Sequence, residues 1–269
     1  MSRISLRYYA GYSLLLPVRI WAKVLAQVWR VVSLPEQFAL ILWTPREIDR
    51  FARTDWNSLL SVRGYARMDD WLGVTEKTLV ETYFTKDGAL LNLACGAGRE
   101  ALLLARRGLR VTACDWSPRM TAEARRRVQD TNLYVRFAVA DLMDDLPYSE
   151  NTFDYLLLTN IAYSYLFPRR RRVRFLRQAH SVLKAGGVFI ISFAPANGDP
   201  RIPAGPSEWL FMRLRRWAPF NREYEPGDRI AGTFTHFFRS EELAHEFQEA
   251  RFLIKEWLWE KGYAVLVKL

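Results

Sequence analysis

The sequence predicts an α/β fold: a doubly wound, mostly parallel seven-stranded sheet with a terminal antiparallel hairpin, a helical N-terminal extension and an insertion after the fifth strand. Three observations lead there. From Gly88 onward, short apolar runs alternate with helical patterns, the signature of parallel strands joined by crossover helices. Each run is apolar along its length, as expected when helices cover both faces of a sheet. The chain then ends in two strand-like runs separated only by Glu260-Lys261-Gly262, a connection that fits a hairpin.

In order, the apolar runs place strands at 89–93, 110–114, 135–140, 153–158 and 188–193, with helices at 100–107, 118–129 and 168–183 between them. A helix at 240–250, begun by a Ser cap, leads into the hairpin strands 252–259 and 263–269. Residues 1–80 are expected to form the extension, a cap or interface, and 81–269 the main domain, with the Pro- and Gly-rich insertion 195–232 as a lid. Within the extension, 18–32 set Arg19, Lys23, Gln27 and Arg30 on one narrow polar stripe, while residues such as Trp21, Leu25 and Trp29 spread over the remainder. Apolar stretch 34–43 and the aromatic, basic segment 209–217 share that character.

With 50% apolar residues the chain can bury a full core, and one domain with attached elements is the natural reading. The net charge of +10, carried mainly by Arg, raises nucleic acid, anionic membrane and acidic partners without choosing among them. Cys95 and Cys114 are the two cysteines, with no CxxC and no Cys/His cluster at metal spacing. No disulfide framework, zinc site or other metal site is therefore expected, and a reducing cytoplasm fits. Arg3 and Arg7 precede an apolar stretch at 8–18 that copies a signal peptide superficially, but Pro17, Arg19 and Lys23 interrupt it before the roughly 18 residues a span requires. The expectation is a retained, non-spanning segment in a cytoplasmic protein, with peripheral contact at the membrane left open.

The loop Cys95-Gly96-Ala97-Gly98-Arg99-Glu100 between a strand and a helix provides a tight glycine turn that brings backbone N–H groups and a helix N-terminus close to a ligand. Gly96 to Ala101 also satisfies the dinucleotide pattern G-x-G-x-x-G/A, with Asp115 near the expected distance beyond. Two cofactor classes fit that loop. The carboxylate of Asp115, after a strand, suits paired ribose hydroxyls, and that of Asp141 an exocyclic amine. Trp116 can stack on a base, with Met120 as an apolar neighbour, although a helix cap, a turn cap and core packing account for Asp115, Asp141 and Trp116 as well.

The stretch Leu90-Leu91-Asn92-Leu93-Ala94-Cys95-Gly96-Ala97-Gly98-Arg99-Glu100 resembles the glycine-rich first motif of class I, Rossmann-like S-adenosylmethionine-dependent methyltransferases. In order and spacing, Val111–Pro118 resembles the family's second strand ending in the ribose-holding acid, and Ala140-Asp141-Leu142 its adenine-binding third-strand end. Leu146 to Asp154 resembles the entry to strand four, and Leu183-Lys184-Ala185-Gly186-Gly187 the turn before strand five. The resemblance covers 85–194 and 233–269. It implies S-adenosyl-L-methionine as cofactor, held by Asn92, Ala94, Cys95, Gly96, Gly98, Asp115, Trp116, Met120, Asp141, Leu142 and Asn160. Asn92 stands where the family commonly has an acid, so an amide that carries no charge replaces it.

Ligands of open α/β sheets bind beyond the strand C-termini, which places the methyl acceptor against Thr159-Asn160-Ile161-Ala162-Tyr163-Ser164-Tyr165. In-line displacement from a sulfonium needs a base only when the acceptor has a proton to lose. Tyr163 and Tyr165 are candidate acceptor contacts, Tyr163 the one assigned to catalysis, and His236 is the candidate base or acceptor ligand, while His180 and His245, within expected helices, read as structural. The expected acceptor is a small, apolar, aromatic or lipid-like molecule beneath an aromatic cap. Alternatives are an RNA methyltransferase using the clusters Arg125–Arg127 and Arg169–Arg172, an NAD(P)-dependent oxidoreductase and a non-catalytic cofactor-binding scaffold. A homo-oligomer through the N-terminal helices completes the range of partners.

Overall fold

The computed structural model describes residues 42–67, 72–85, 87–129, 131–196, 223, 225–231 and 233–269. The expected helix at 18–32, the 209–217 segment and most of 34–43 lie outside them. Among the described residues three helices come first, α1 (Pro45–Trp56), α2 (Leu59–Ala66) and α3 (Val74–Tyr83). Then β1 (Ala89–Leu93), α4 (Arg99–Arg106), β2 (Arg110–Asp115), α5 (Pro118–Gln129), β3 (Val135–Val139) and β4 (Phe153–Leu158) alternate as the apolar runs predict. A 3-10 turn at Ala162–Tyr165 leads to α6 (Arg169–Val182), β5 (Leu183–Ser192) and β6 (Ala194–Pro195). Further along come β7 (Asp228–Ala231), β8 (Thr233–Phe238), α7 (Ser240–Glu249), β9 (Phe252–Leu258) and β10 (Tyr263–Lys268).

The main sheet has seven strands in the order β3-β2-β1-β4-β5-β10-β9. Pairing is parallel from β3 through β5, whereas β10 runs antiparallel to both β5 and β9. Successive residues point to opposite faces. Leu91, Leu93 and Cys114 enter a core with Phe175, Leu176 and Phe247 of α6 and α7, while Leu90 and Ala113 enter another with Leu79, Val80 and Leu104 of α3 and α4. The expected boundary at residue 80 therefore cuts through α3, a helix packed into the sheet's own core.

Two differences from the expectation have local causes. Strand β5 begins at Leu183 rather than 188, because Lys184 to Gly187 forms a bulge: Phe153 pairs with Leu183 and Tyr155 with Val188, and Gly186 takes φ +72°. The tail of the presumed insertion is strand β7, which pairs antiparallel with β8 and, through β8, joins β6 in a small second sheet. A third core cluster, Ile48, Phe167, Ile230 and Phe234, ties this small sheet to α1.

The 3-10 turn at Trp259–Lys261 ends in Gly262 at φ +69°, where a Cβ would sit 2.3 Å from the Phe193 carbonyl oxygen. Gly262→Ala is expected to destabilise the fold by more than the ~1–2 kcal/mol of a left-handed alanine alone, read as a lower urea midpoint at unchanged slope.

Candidate functional site

Strand order reverses at β1, which has β2 on one side and β4 on the other. The crevice beyond such a reversal is where open α/β sheets hold ligands, and a cavity of about 400 Å³ lies there. The backbone lines it at Ala94 (φ 49°) and Gly96 (φ 51°) and then turns through Gly98 (φ 85°), an expected cofactor residue that lies outside the lining, before α4 begins. At Gly96 nothing lies within 4 Å of where a Cβ would stand, so the loop faces open space. At Gly98 a Cβ would come 3.1 Å from the Ala124 Cβ, so that glycine also admits the close approach of α5. Arg127 of α5 donates to the Ala97 carbonyl at 3.0 Å and braces the loop.

Asp115, at the end of β2, is buried and accepts the Gly96 and Ser117 N–H groups, each at 2.9 Å. Burial raises its pKa, against the lowering by these two hydrogen bonds and with a further rise from nearby Asp141. Asp141, just beyond β3, accepts the Met143 N–H at 2.9 Å through Oδ1 and pairs with Arg53 through Oδ2. Cys95 is buried, and burial followed by the Asp115 charge pushes its thiol well above the ordinary range, which does not suit a nucleophile.

Ala94, Cys95, Gly96, Asp115, Trp116, Met120, Asp141, Leu142 and Asn160 all line this cavity. Asn92 does not: it is buried and neither amide atom has a hydrogen-bond partner. The carboxylate at this end is instead that of Glu100, buried, lining the cavity, and accepting from Thr159 Oγ1 at 2.9 Å and Arg99 Nε at 3.0 Å. Its place in the first turn of α4, directly after the glycine loop, was the available signal for it.

The other end of the cavity is aromatic. Trp56 of α1 lies 5.4 Å from the Tyr165 ring and 5.7 Å from that of Tyr65 on α2, and all three line the space with Ala52, Ile161 and Leu166. Burial, then Tyr65, push the Tyr165 phenol up to about 12. Arg53, between the two ends, bridges Asp49 and Asp141 with its guanidinium 5.0 Å over the Trp116 ring. No sequence pattern pointed to Arg53, Trp56 or Tyr65.

Tyr163 and His236, the candidate acceptor contact and base, lie outside the cavity lining. Tyr163 is fully buried, donates to Glu246 and stacks on Phe238 at 5.3 Å. His236 is buried with Nδ1 2.6 Å from Asp228 and Nε2 2.9 Å from Glu242. Burial and the nearby Arg172 charge oppose its ionisation, but the hydrogen bonds to Asp228 and Glu242 outweigh them and raise its pKa, since a carboxylate oxygen at each nitrogen favours the charged form. Beside it, fully buried Arg172 reaches Glu225 and Glu246 at 2.8 Å and Glu242 at 3.4 Å. Glu225, Asp228 and His236 bring one ligand atom each within 4.8 Å of one another, yet the imidazolium and Arg172 already engage all three residues.

The sequence model of the family described as "Methyltransferase domain" matches residues 90–187, which hold the glycine loop, Asp115, Asp141 and the segment after β4. Over that stretch the chain matches a methyltransferase domain, and its strand order gives the Rossmann-like fold of class I methyltransferases. An uncharacterized methyltransferase of Synechocystis is 31% identical to it over 130 residues, 48% of this chain and 51% of that protein. The 18S rRNA (guanine(1575)-N(7))-methyltransferase of Saccharomyces cerevisiae is 30% identical over 118 residues, 41% of this chain and 42% of that one. The chain thus spans about half the length, or less, of the curated relatives it matches. In fold, the domain superposes on 1,6-didemethyltoxoflavin-N1-methyltransferase of Burkholderia thailandensis with a TM-score of 0.59 at 20% identity, covering 84% of this chain and 91% of that one. The methyltransferase domain settles the two-way reading of the glycine pattern against a dinucleotide oxidoreductase.

Because the folded state holds the His236 proton more tightly than the unfolded chain, the stability it contributes is fully present below the unfolded value of about 6.5 and is lost as pH rises through the higher folded value. His236→Gln is expected to be less stable than wild type at pH 6 and to lose much of the decline above pH 6.5, as followed by urea midpoints across that range.

Proposed function

We propose that the chain is an S-adenosyl-L-methionine-dependent methyltransferase acting on a small, apolar or aromatic, lipid-like acceptor. The observation that carries this is a single cavity with carboxylates and a glycine loop at one end and the Trp56, Tyr65 and Tyr165 rings at the other. The residues present fit the cofactor: Asp115 offers its remaining lone pairs to paired hydroxyls, Asp141 to an amine, and Trp116 a face for a base. Glu100, which pairs with Arg99 through one oxygen, offers its other oxygen to an ammonium group in place of the acid that Asn92 lacks. Bound there, the cofactor supplies an electrophilic methyl group for in-line displacement.

The chain's own residues then position and desolvate. Trp56, Tyr65 and Tyr165 hold an apolar acceptor by ring contact and exclude water, and the segment from Asn160 to Ala162 borders both ends. Among the described residues no histidine lines the cavity, which suits an acceptor that arrives already nucleophilic. Arg53 must release the Asp141 Oδ2 before an amine can use it.

The RNA reading draws on the name of the yeast relative. The arginine runs offered for it are largely engaged within the molecule: Arg125 with the Phe137 carbonyl, Arg126 with Glu123, Arg169 with Glu249, Arg170 with Glu223 and Arg172 in the buried network.

Asp115→Asn is expected to weaken S-adenosylmethionine binding at least ten-fold by calorimetry and to lower the urea midpoint, because the amide nitrogen cannot accept the second of the two backbone N–H groups that the carboxylate holds; unchanged affinity contradicts the assignment. For Arg53→Ala the expected change is the opposite. A pair this exposed is worth about 1 kcal/mol at most, so removing the competitor should tighten binding by up to about five-fold.

A further inference from the structure

Along α1 and the turn after it, Arg46, Arg50, Arg53, Thr54 and Asn57 recur at helical spacing and line one open groove, whose other wall holds Trp116 and Arg119. Arg46, Arg50 and Arg119 are exposed, and Arg119 is anchored by a bond to the Asn57 carbonyl at 3.0 Å. Among the lining residues the one carboxylate is Asp49, already paired with Arg53. The groove ends at Ser58. The next two residues, Leu59 and Leu60, stand 58% and 82% exposed at the start of α2, followed on the same helix face by exposed Arg63 and Arg67. Leu42, just before α1, is 61% exposed.

We propose that this α1–α2 face docks on an anionic lipid surface, its arginines at the headgroup phosphates and Leu42, Leu59 and Leu60 in the acyl boundary. Basic side chains interleaved with apolar ones are what an interfacial surface requires. Single-stranded nucleic acid instead wants exposed rings for its bases to stack on, whereas the ring lining this groove, Trp116, already has the Arg53 guanidinium over it and the exposed apolar residues are leucines. No helix among the described residues is long and apolar enough to cross a membrane. Docking has a consequence for the cavity: Trp56 and Tyr65, on the same two helices, form its aromatic wall, which is thereby brought to the lipid boundary. The purpose of the surface rests on the lipid-like acceptor reading, but its test does not.

The full chain is sedimented with vesicles of phosphatidylcholine alone and of phosphatidylcholine with phosphatidylglycerol. Binding is expected only to the anionic vesicles. Arg46→Ala with Arg50→Ala should weaken it roughly thirty-fold, at about one headgroup interaction per arginine. Leu59→Ser with Leu60→Ser should weaken it more than ten-fold on the scale of a buried leucine pair. Neither pair lines the cavity, so both variants should keep wild-type S-adenosylmethionine affinity by calorimetry without vesicles. Equal binding to both vesicle types, or vesicle binding that neither double variant changes, overturns the proposal. So does failure of the wild-type chain to bind vesicles, whether the arginine pair proves instead to govern RNA binding at low salt or the leucine pair self-association in size-exclusion chromatography. If no protein binds S-adenosylmethionine while the vesicle pattern holds, the cofactor reading fails and the docking surface stands.

Discussion

One buried carboxylate holds three parts of the site in place. Asp115 takes the Gly96 N–H on one oxygen and the Ser117 N–H on the other, so the loop after β1 and the start of α5 share a single anchor. Ser117 extends the reach, since its hydroxyl donates to Asn57 Oδ1 at 2.7 Å and accepts the Met120 N–H at 3.2 Å, linking the turn between α1 and α2 to the same point. Burial makes this carboxylate reluctant to ionise, and the two backbone donors offset that reluctance. A ligand hydroxyl must therefore use the lone pairs the backbone leaves over, which limits it to the cavity side.

The strands and helices from β1 to β5 were legible because their signals are local: apolar runs, glycine turns and caps within a few residues of what they govern. The charges that matter most were not. Arg172 meets Glu246 across 74 positions, and Arg53 meets Asp141 across 88. At the head of α6 four arginines read as a surface cluster opposed by the helix dipole, and nothing in the sequence shows that one of them turns inward to several carboxylates. Strand β7 was hidden for a related reason. Asp228 and Ile230 are buried because they face His236 and Ile48, so a four-residue segment becomes a strand through partners outside it.

Asn160 and Ile161 take φ values of 54° and 51°, a conformation that is costly for a β-branched side chain. Ser192 at the end of β5 accepts the Ile161 N–H at 2.7 Å, and Ser164 accepts the Ala194 N–H at 2.8 Å, so β5 and β6 clamp the segment on both sides. The strain turns the chain sharply as it leaves β4. As a result Tyr165 faces the cavity while Tyr163, two residues earlier, enters the core and the buried ion network.

The two ends of the cavity come from different parts of the chain, and α1 is where they meet. Its Ile48 packs with Phe167, Ile230 and Phe234, while its Arg53 and Trp56 face the cavity. Phe234 belongs to β8, the strand that carries His236 into the Arg172 network, and Arg172 lies 5.1 Å over the Phe238 ring of that strand. The helix that supplies part of the cavity's aromatic wall is therefore seated on a small sheet held by buried charge rather than on the main sheet. A buried pair is strongly destabilising when one partner is lost, because the other is left uncompensated, so this support is firm only while the whole network is intact. The carboxylate end needs no such arrangement, since the ends of β2 and β3 fix it directly. On the proposed function, acceptor preference can accordingly change through α1, α2 and the small sheet, with the glycine loop and Asp115 left untouched.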